Sequence, residues 1–364
     1  VTDVNLGMFT GAWGDYDNDG HIDMFIANDG YTSDAQRKDF LYRNNGAGGF
    51  TRILSGPMVN DSGNGTAGTW GDYNNDGKLD LFVSNLFNQK NFLYRNDGNG
   101  LFTKITTGDI VNDVGNFAGG AWGDYNNDGF LDLFVSNFGA VGSAATATNF
   151  LYRNTGAGTF AKVTSGAIVT DAAKFSSATW GDYDNDGFDD LCVSGYGRNW
   201  LFHNLGNGTF KDVTQSAGIP QRPGAWGMGC AFIDVNNDSK LDLYVANYVL
   251  YDPKISLCRT DNTMHGCTPN QYKTQRNELY MNQGSGKFVD KAVELGADDP
   301  NGAGLGVVVC DFDNDGWADI FVANDGTPNA LLHNRKGKFE SMGQVAGVAL
   351  GEDGSMRAGM GTDA

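Results

Sequence analysis

Proline is scarce in this chain, at 7 of 364 residues, and histidine scarcer still at 4. No run of about 18 apolar residues occurs, which excludes an evident transmembrane helix. None of the five cysteines stands in a CxxC pair, so a zinc knuckle is a poor reading. G-x-S-x-G, H-E-x-x-H and phosphate-loop motifs are all missing. There is neither an initiator methionine nor a signal peptide, so the expectation is a processed or excised chain. Basic residues are outnumbered, 25 against 44 acidic ones, for a net charge of −19. Such a chain repels phosphate backbones and anionic membrane surfaces, which argues against nucleic-acid binding and membrane insertion.

What is abundant is glycine, 53 residues, with aromatics at 12%. A disordered chain would be poor in aromatics. Many short strands joined by tight turns fit better, because glycine supplies the positive φ that turns require. The length allows a large core in two domains or in one large all-β domain.

The acidic residues are not scattered. "DYDNDGHID" (Asp15 to Asp23) returns as "DYNNDGKLD" from Asp72, "DYNNDGFLD" from Asp124 and "DYDNDGFDD" from Asp182. It returns again as "DVNNDSKLD" from Asp234 and "DFDNDGWAD" from Asp311. The flanks repeat too. Trp13, Trp70, Trp122 and Trp180 stand two residues ahead of the first four loops, a spacing that suits packing between repeats. An apolar run such as "LFVSN" follows each loop, and then a segment such as "FLYRNDGNGLF", two apolar-aromatic stretches around an Asn/Gly turn, which signals a hairpin. Each unit of about 50 residues therefore reads as four antiparallel strands, one propeller blade. The expected fold is an all-β β-propeller spanning 1–364, with six complete blades. The tail "RAGMGTDA" resembles the strand before Asp234, and "VTD" at the start matches a blade junction. The favoured reading is thus a seven-bladed propeller cut from a longer chain, six blades plus the first strand of a seventh. A six-bladed ring, or closure by a neighbouring chain, is the alternative.

The loop chemistry is that of a hard divalent cation. Calcium takes six to eight oxygen ligands, and positions one, three and five of a D-x-D-x-D-G loop converge as the chain turns. Position six needs glycine for the bend, position seven offers its backbone carbonyl, and position nine closes the site with a carboxylate. The candidate ligands are Asp15, Asp17, Asp19, His21 and Asp23 in the first loop; Asp72, Asn74, Asp76, Lys78 and Asp80 in the second; and Asp124, Asn126, Asp128, Phe130 and Asp132 in the third. Asp182, Asp184, Asp186, Phe188 and Asp190 follow in the fourth, Asp234, Asn236, Asp238, Lys240 and Asp242 in the fifth, and Asp311, Asp313, Asp315, Trp317 and Asp319 in the sixth. The His21 side chain is not expected to ligate. Ser239 replaces the glycine in the fifth loop, and a left-handed non-glycine costs roughly 1 kcal/mol. About six Ca2+ sites are expected, structural rather than catalytic.

These loops and flanks resemble the FG-GAP/VCBS repeats of integrin α-chain propellers and their bacterial relatives. Within that group the two-cysteine insertion before "ELYMNQGSGKF" and the stretch "GEDGSMRAGMGTDA" resemble the cartilage acidic protein-like branch, although "CTP" from Cys267 departs from its usual Cys-Gly-Pro. The resemblance implies a secreted or surface-exposed calcium-binding propeller used in adhesion or in matrix and glycan contact.

Cys258 and Cys267 flank a short hydrophilic stretch in the insertion at 251–276, where a local disulfide is expected; an oxidising compartment would follow. Cys192, Cys230 and Cys310 sit in apolar strand patterns and read as small buried side chains. The connections from strand two to strand three vary most and carry aromatic and basic residues. Tyr196, Arg198, Trp200, Tyr251, Arg259 and Tyr272 are the candidates there for an anionic glycan or extracellular protein partner. Self-association into filaments is a second reading. A polysaccharide-degrading enzyme is a weaker third, since His203 and His333 only replace the Arg of "LYRN" and His265 has no evident partner.

Overall fold

Apolar runs of six residues following each acidic loop become strands hidden on both faces. In the second repeat Asp80–Asn85 is buried at every position, as are Asp132–Asn137, Asp190–Gly195 and Asp242–Asn247. Strands buried on both faces need no polar alternation, which explains the continuous hydrophobic pattern. The computed structural model describes residues 8–29, 37–139, 146–156, 158–251, 257–260, 263–266, 269–356 and 359. It contains six four-stranded sheets, each with its strands paired in chain order, the antiparallel blades of a β-propeller. The first strands are Met8–Gly14, Gly65–Gly71, Phe117–Gly123, Phe175–Gly181, Gly227–Ile233 and Gly304–Cys310. Blade two continues through Asp80–Asn85 and Phe92–Gly98 to Leu101–Lys104. Every acidic loop is the turn between the first and second strands of its blade, as the repeat predicts.

The chain falls into two compact units, one holding Val1–Trp180 and Asn204–Lys211, the other Gly181–His203 and Asp212–Thr362. Within the first, aromatic and aliphatic side chains from adjacent blades form shared cores. Phe25 and Leu41 of blade one pack with Leu81, Val83 and Tyr94 of blade two. The predicted tryptophan role holds here. Trp70 donates its indole N–H to the Ala12 carbonyl of the preceding blade, and Trp122 and Trp180 do the same to Thr69 and Ala121. Each indole also stacks on the position-two tyrosine of that preceding blade, Tyr16, Tyr73 or Tyr125, within 12° of parallel. The space is opened by glycine: a Cβ at Gly71 would lie 2.7 Å from Trp122 Cδ1. In the second unit the large partner shrinks and the small one grows. Phe232 covers Gly181, while Ile233 and Val309 share a cluster.

Two features escaped sequence reasoning. A bulge interrupts the first strand of five blades, as between Gly65 and Ala67. Short helical turns such as Pro57–Asn60 and Ala167–Thr170 link successive blades and bury Met58, Val59, Ile168 and Val169. In the insertion, Leu257–Thr260 pairs with Thr263–Gly266, and Val249–Leu250 with Lys273–Thr274. Cys267 lies outside the described residues, and the expected disulfide to Cys258 with it. Cys192 and Cys230 are buried, as expected, and Cys310 is half-buried. Of the tail that suggests a seventh first strand, only Gly359 falls among the described residues after 356; its N–H donates to the Asn324 carbonyl at 2.9 Å.

Candidate metal centres

The six loops share one backbone solution. Position one receives two N–H groups: Asp72 Oδ1 accepts from Asp76 N at 3.0 Å and its Oδ2 from Gly77 N at 2.7 Å, and the other five loops repeat this. Position five then accepts from the N–H of position seven, as His21 N to Asp19 Oδ1 at 2.9 Å. Position six is left-handed throughout, from φ 81° at Gly77 to 89° at Gly187, and Ser239 joins it at 65°. The replacement of glycine there therefore keeps the bend and bears its strain.

Position nine is the buried end of the site. Asp23, Asp80, Asp132, Asp190, Asp242 and Asp319 are each at most 1% exposed. In five blades the Oδ1 accepts an N–H at 2.7 Å from the asparagine that ends strand three: Asn44, Asn96, Asn154, Asn282 and Asn334. Burial and the neighbouring loop carboxylates push Asp80 and Asp132 up to about 7, and Asp23 and Asp242 up to about 6. A cation placed among these oxygens would oppose both causes.

That asparagine also ties blades together. Asn96 Nδ2 donates to the Leu79 carbonyl of its own loop and, at 2.7 Å, to the Tyr16 carbonyl of the preceding loop. Asn154 reaches Tyr73 in the same way, Asn282 reaches Tyr183 and Asn334 reaches Val235. The asparagine at position four makes a second tie. It is left-handed in every loop, and its side-chain amide donates to the position-six carbonyl of the next loop: Asn18 to Gly77, Asn75 to Gly129, Asn185 to Ser239 and Asn237 to Gly316. Both asparagines recur in all six repeats, and that recurrence was the available signal.

The predicted ligands converge where the side chains are carboxylates. Oxygens of Asp15, Asp17 and Asp19 lie within 4.8 Å of one another, as do those of Asp182, Asp184 and Asp186, and of Asp311, Asp313 and Asp319. Asp17 Oδ1 is buried without a hydrogen-bond partner, the state expected of an atom shaped for a cation. So the donor set fits a hard divalent ion, with positions one, three, five and nine and the position-seven carbonyl as the holders. In loops two and three the position-three amides point their Nδ2 at Asp80 and Asp132, at 3.3 and 3.2 Å. There Asn74 and Asn126 serve as internal donors. Lys78 and Lys240 fold back onto Asp76 and Asp238 at 2.8 and 2.9 Å. The His21 ring lies against Gly46 of the hairpin.

One register position was misjudged. The residue before the strand-three asparagine reads as an ordinary strand position, but in blades one, four and six its side chain reaches the acidic loop. Arg43 holds Asp17 at 2.5 Å and Asp19 at 2.8 Å. His203 lies 3.0 Å from Asp190 and 3.4 Å from Asp184, and His333 3.4 Å from Asp313.

At the opposite ends of the second strands, in the second unit, Tyr196, Tyr251 and Tyr272 come together. Sequence reasoning missed Trp226 and Tyr248 beside them. Trp226 lies edge-on to Tyr196, Tyr248 and Tyr251, with centroids 5.7–6.1 Å away, and Tyr251 continues to Tyr272 at 5.6 Å. All five rings are half-buried. Trp200 does not join them: it is 3% exposed, with the Arg198 guanidinium over its ring and bonded to Asp212 at 2.5 Å. The Arg259 side chain lies outside what the structure describes.

Fold and loops together define an acidic-loop β-propeller. The family model described as FG-GAP-like repeat matches residues 15–83, 72–135, 140–193, 182–245, 267–322 and 311–360. The chain belongs to that family. Among curated proteins, Cartilage acidic protein 1 of Mus musculus is 47% identical over 55 residues, and that of Homo sapiens 46% over the same length. The match covers 15% of this chain and 8% of those proteins. Among solved structures, an Agrocybe aegerita lectin described as recognising non-reducing terminal N-acetylglucosamine superposes with a TM-score of 0.55 at 17% identity, covering 93% of this chain and 81% of that one. BBS1N, solved in complex with ARL6DN, gives a TM-score of 0.52 at 10% identity, covering 92% and 82%. These two likenesses speak for the fold. No helix among the described residues is long and apolar enough to cross a membrane.

Proposed function

We propose that the chain is a calcium-stabilised propeller that works outside the cell as a binding module, with a glycan or an extracellular protein as partner. The observation that carries the binding reading is the half-buried cluster of Tyr196, Trp226, Tyr248, Tyr251 and Tyr272. Sugar rings and protein hot spots both favour rigid aromatic side chains with a polar edge. The six acidic loops support the calcium reading, since each gathers oxygens in the pattern a hard cation requires. The family and the partial likeness to Cartilage acidic protein 1 support an extracellular setting. The fold relative that recognises N-acetylglucosamine makes a terminal-sugar ligand the first to try. An enzyme is not favoured: the acidic clusters are accounted for by the loops.

The test is a glycan array and an extracellular-protein panel probed in calcium with the wild-type chain and with Tyr251→Ala/Tyr272→Ala. Binding that the double substitution abolishes, with an unchanged melting curve, supports the reading. Binding unaffected by it would move the site elsewhere. Filaments in the absence of any added partner, seen by electron microscopy, would favour self-association instead.

A further inference from the structure

We propose that the sixth loop, completed by His333, is a mixed nitrogen–oxygen site for a borderline divalent cation of the zinc class. His333 is 2% exposed and its Nε2 makes no hydrogen bond. That nitrogen lies 3.4 Å from Asp313 Oδ2 and 3.7 Å from Asp315 Oδ2. The three ligand atoms lie within 4.8 Å of one another, and Asp313 also groups with Asp311 and Asp319. Phe312 stands edge-on to the imidazole, ring centroids 5.1 Å apart and planes at 83°, which fixes its orientation. A buried imidazole nitrogen without a hydrogen bond is costly. A metal ion between it and the two carboxylates would satisfy it.

The ring also changes which metal the site favours. Calcium binds oxygen donors, whereas imidazole suits zinc and its first-row neighbours. The same register position delivers a guanidinium in blade one (Arg43) and a thioether in blade five (Met281). In blade four His203 Nδ1 stands within hydrogen-bonding distance of Asp190 at 3.0 Å. The buried and unbonded nitrogen singles out the sixth loop. This inference shares with the calcium reading only the premise that the loops take divalent cations.

The experiment uses the whole chain, stripped with chelator, with calcium and zinc titrated separately. With four histidines, ring 15N resonances can be assigned one by one. Zinc is expected to shift His333 Nε2 to the metal-bound range, whereas calcium leaves it there unligated. His333→Gln, made alone and in a His203→Asn background, is expected to weaken the tightest zinc site about ten-fold or more while calcium affinities stay within about two-fold. A His333 ring unmoved by zinc, or zinc affinity unaltered in the variants, overturns the proposal. Should the variants fold poorly, the wild-type spectrum decides alone. Absence of calcium binding beside a zinc-ligated His333 would sink the calcium reading and leave this one standing.

Discussion

The first and sixth acidic loops have the same backbone and differ in what strand three brings to them. In loop one Arg43 places a permanent positive charge across Asp17 and Asp19. In loop six His333 brings a nitrogen that makes no hydrogen bond. The first loop carries an internal counter-ion, and the sixth has none of that kind. A nine-residue motif thus specifies a cradle, while a residue some twenty positions away decides which side chain stands beside it. Family membership alone would treat the six loops as equivalent.

The widest test of this contrast is removal of all divalent ions. A ligand at ten-fold excess over its dissociation constant adds about 1.4 kcal/mol per site, on the order of 8 kcal/mol for six. Chelation is therefore expected to lower the melting temperature by about 10 °C or more, read by circular dichroism. An unchanged melt would mean that the loops need no cation and that the contrast between them is idle.

The strand-three asparagines sharpen it next. Asn96 is buried and its Nδ2 donates to two carbonyls, one of them in the preceding loop, whereas the Asn44 Nδ2 donates to the Ile22 carbonyl of its own loop. Asn96→Ala should cost about 2–3 kcal/mol and Asn44→Ala less than about 1 kcal/mol, by denaturant titration in calcium. Equal losses would show that the tie between loops carries no weight.

A third test is pH. The carboxyls of Asp80 and Asp132 are pushed up to about 7 in the fold, against about 3.8 when exposed. Between those values the chelated fold holds more protons than the unfolded chain, so its stability is present in full below about pH 4 and falls as pH rises to about 7. Calcium, by favouring the ionised carboxylates, should abolish or reverse that slope in melting curves taken at several pH values.

The smallest effect is expected from Arg43→Ala. Arg43 is exposed, so the melt should hardly move, but the calcium affinity of loop one, followed through the Gly20 amide resonance, should rise severalfold. No change would mean that Arg43 does not compete for the loop.

The blade repeat and the place of each loop between strands one and two were legible because each depends on a local pattern repeated six times, and the tryptophan contacts were legible from one repeated four times. The bend at position six was legible from the glycine. What escaped depends on neighbours distant in sequence. The carbonyl that Asn96 reaches is 80 residues away, and that reached by Asn18 is 59 away. His333 read as a strand residue because its register is that of a strand; only the turn of the hairpin over the loop shows where the side chain goes. The cluster around Trp226 was half legible, since Tyr196, Tyr251 and Tyr272 lie in connections, while Trp226 precedes a first strand and was counted with the scaffold.

The position-four asparagines have a consequence for how such chains grow. Each repeat offers an amide at one side and a carbonyl at the other, so any spliced-in copy would meet both halves of the fastening already in place. Duplication of an entire repeat then needs no new interface, while trimming one residue from a loop would leave two neighbours unfastened at once.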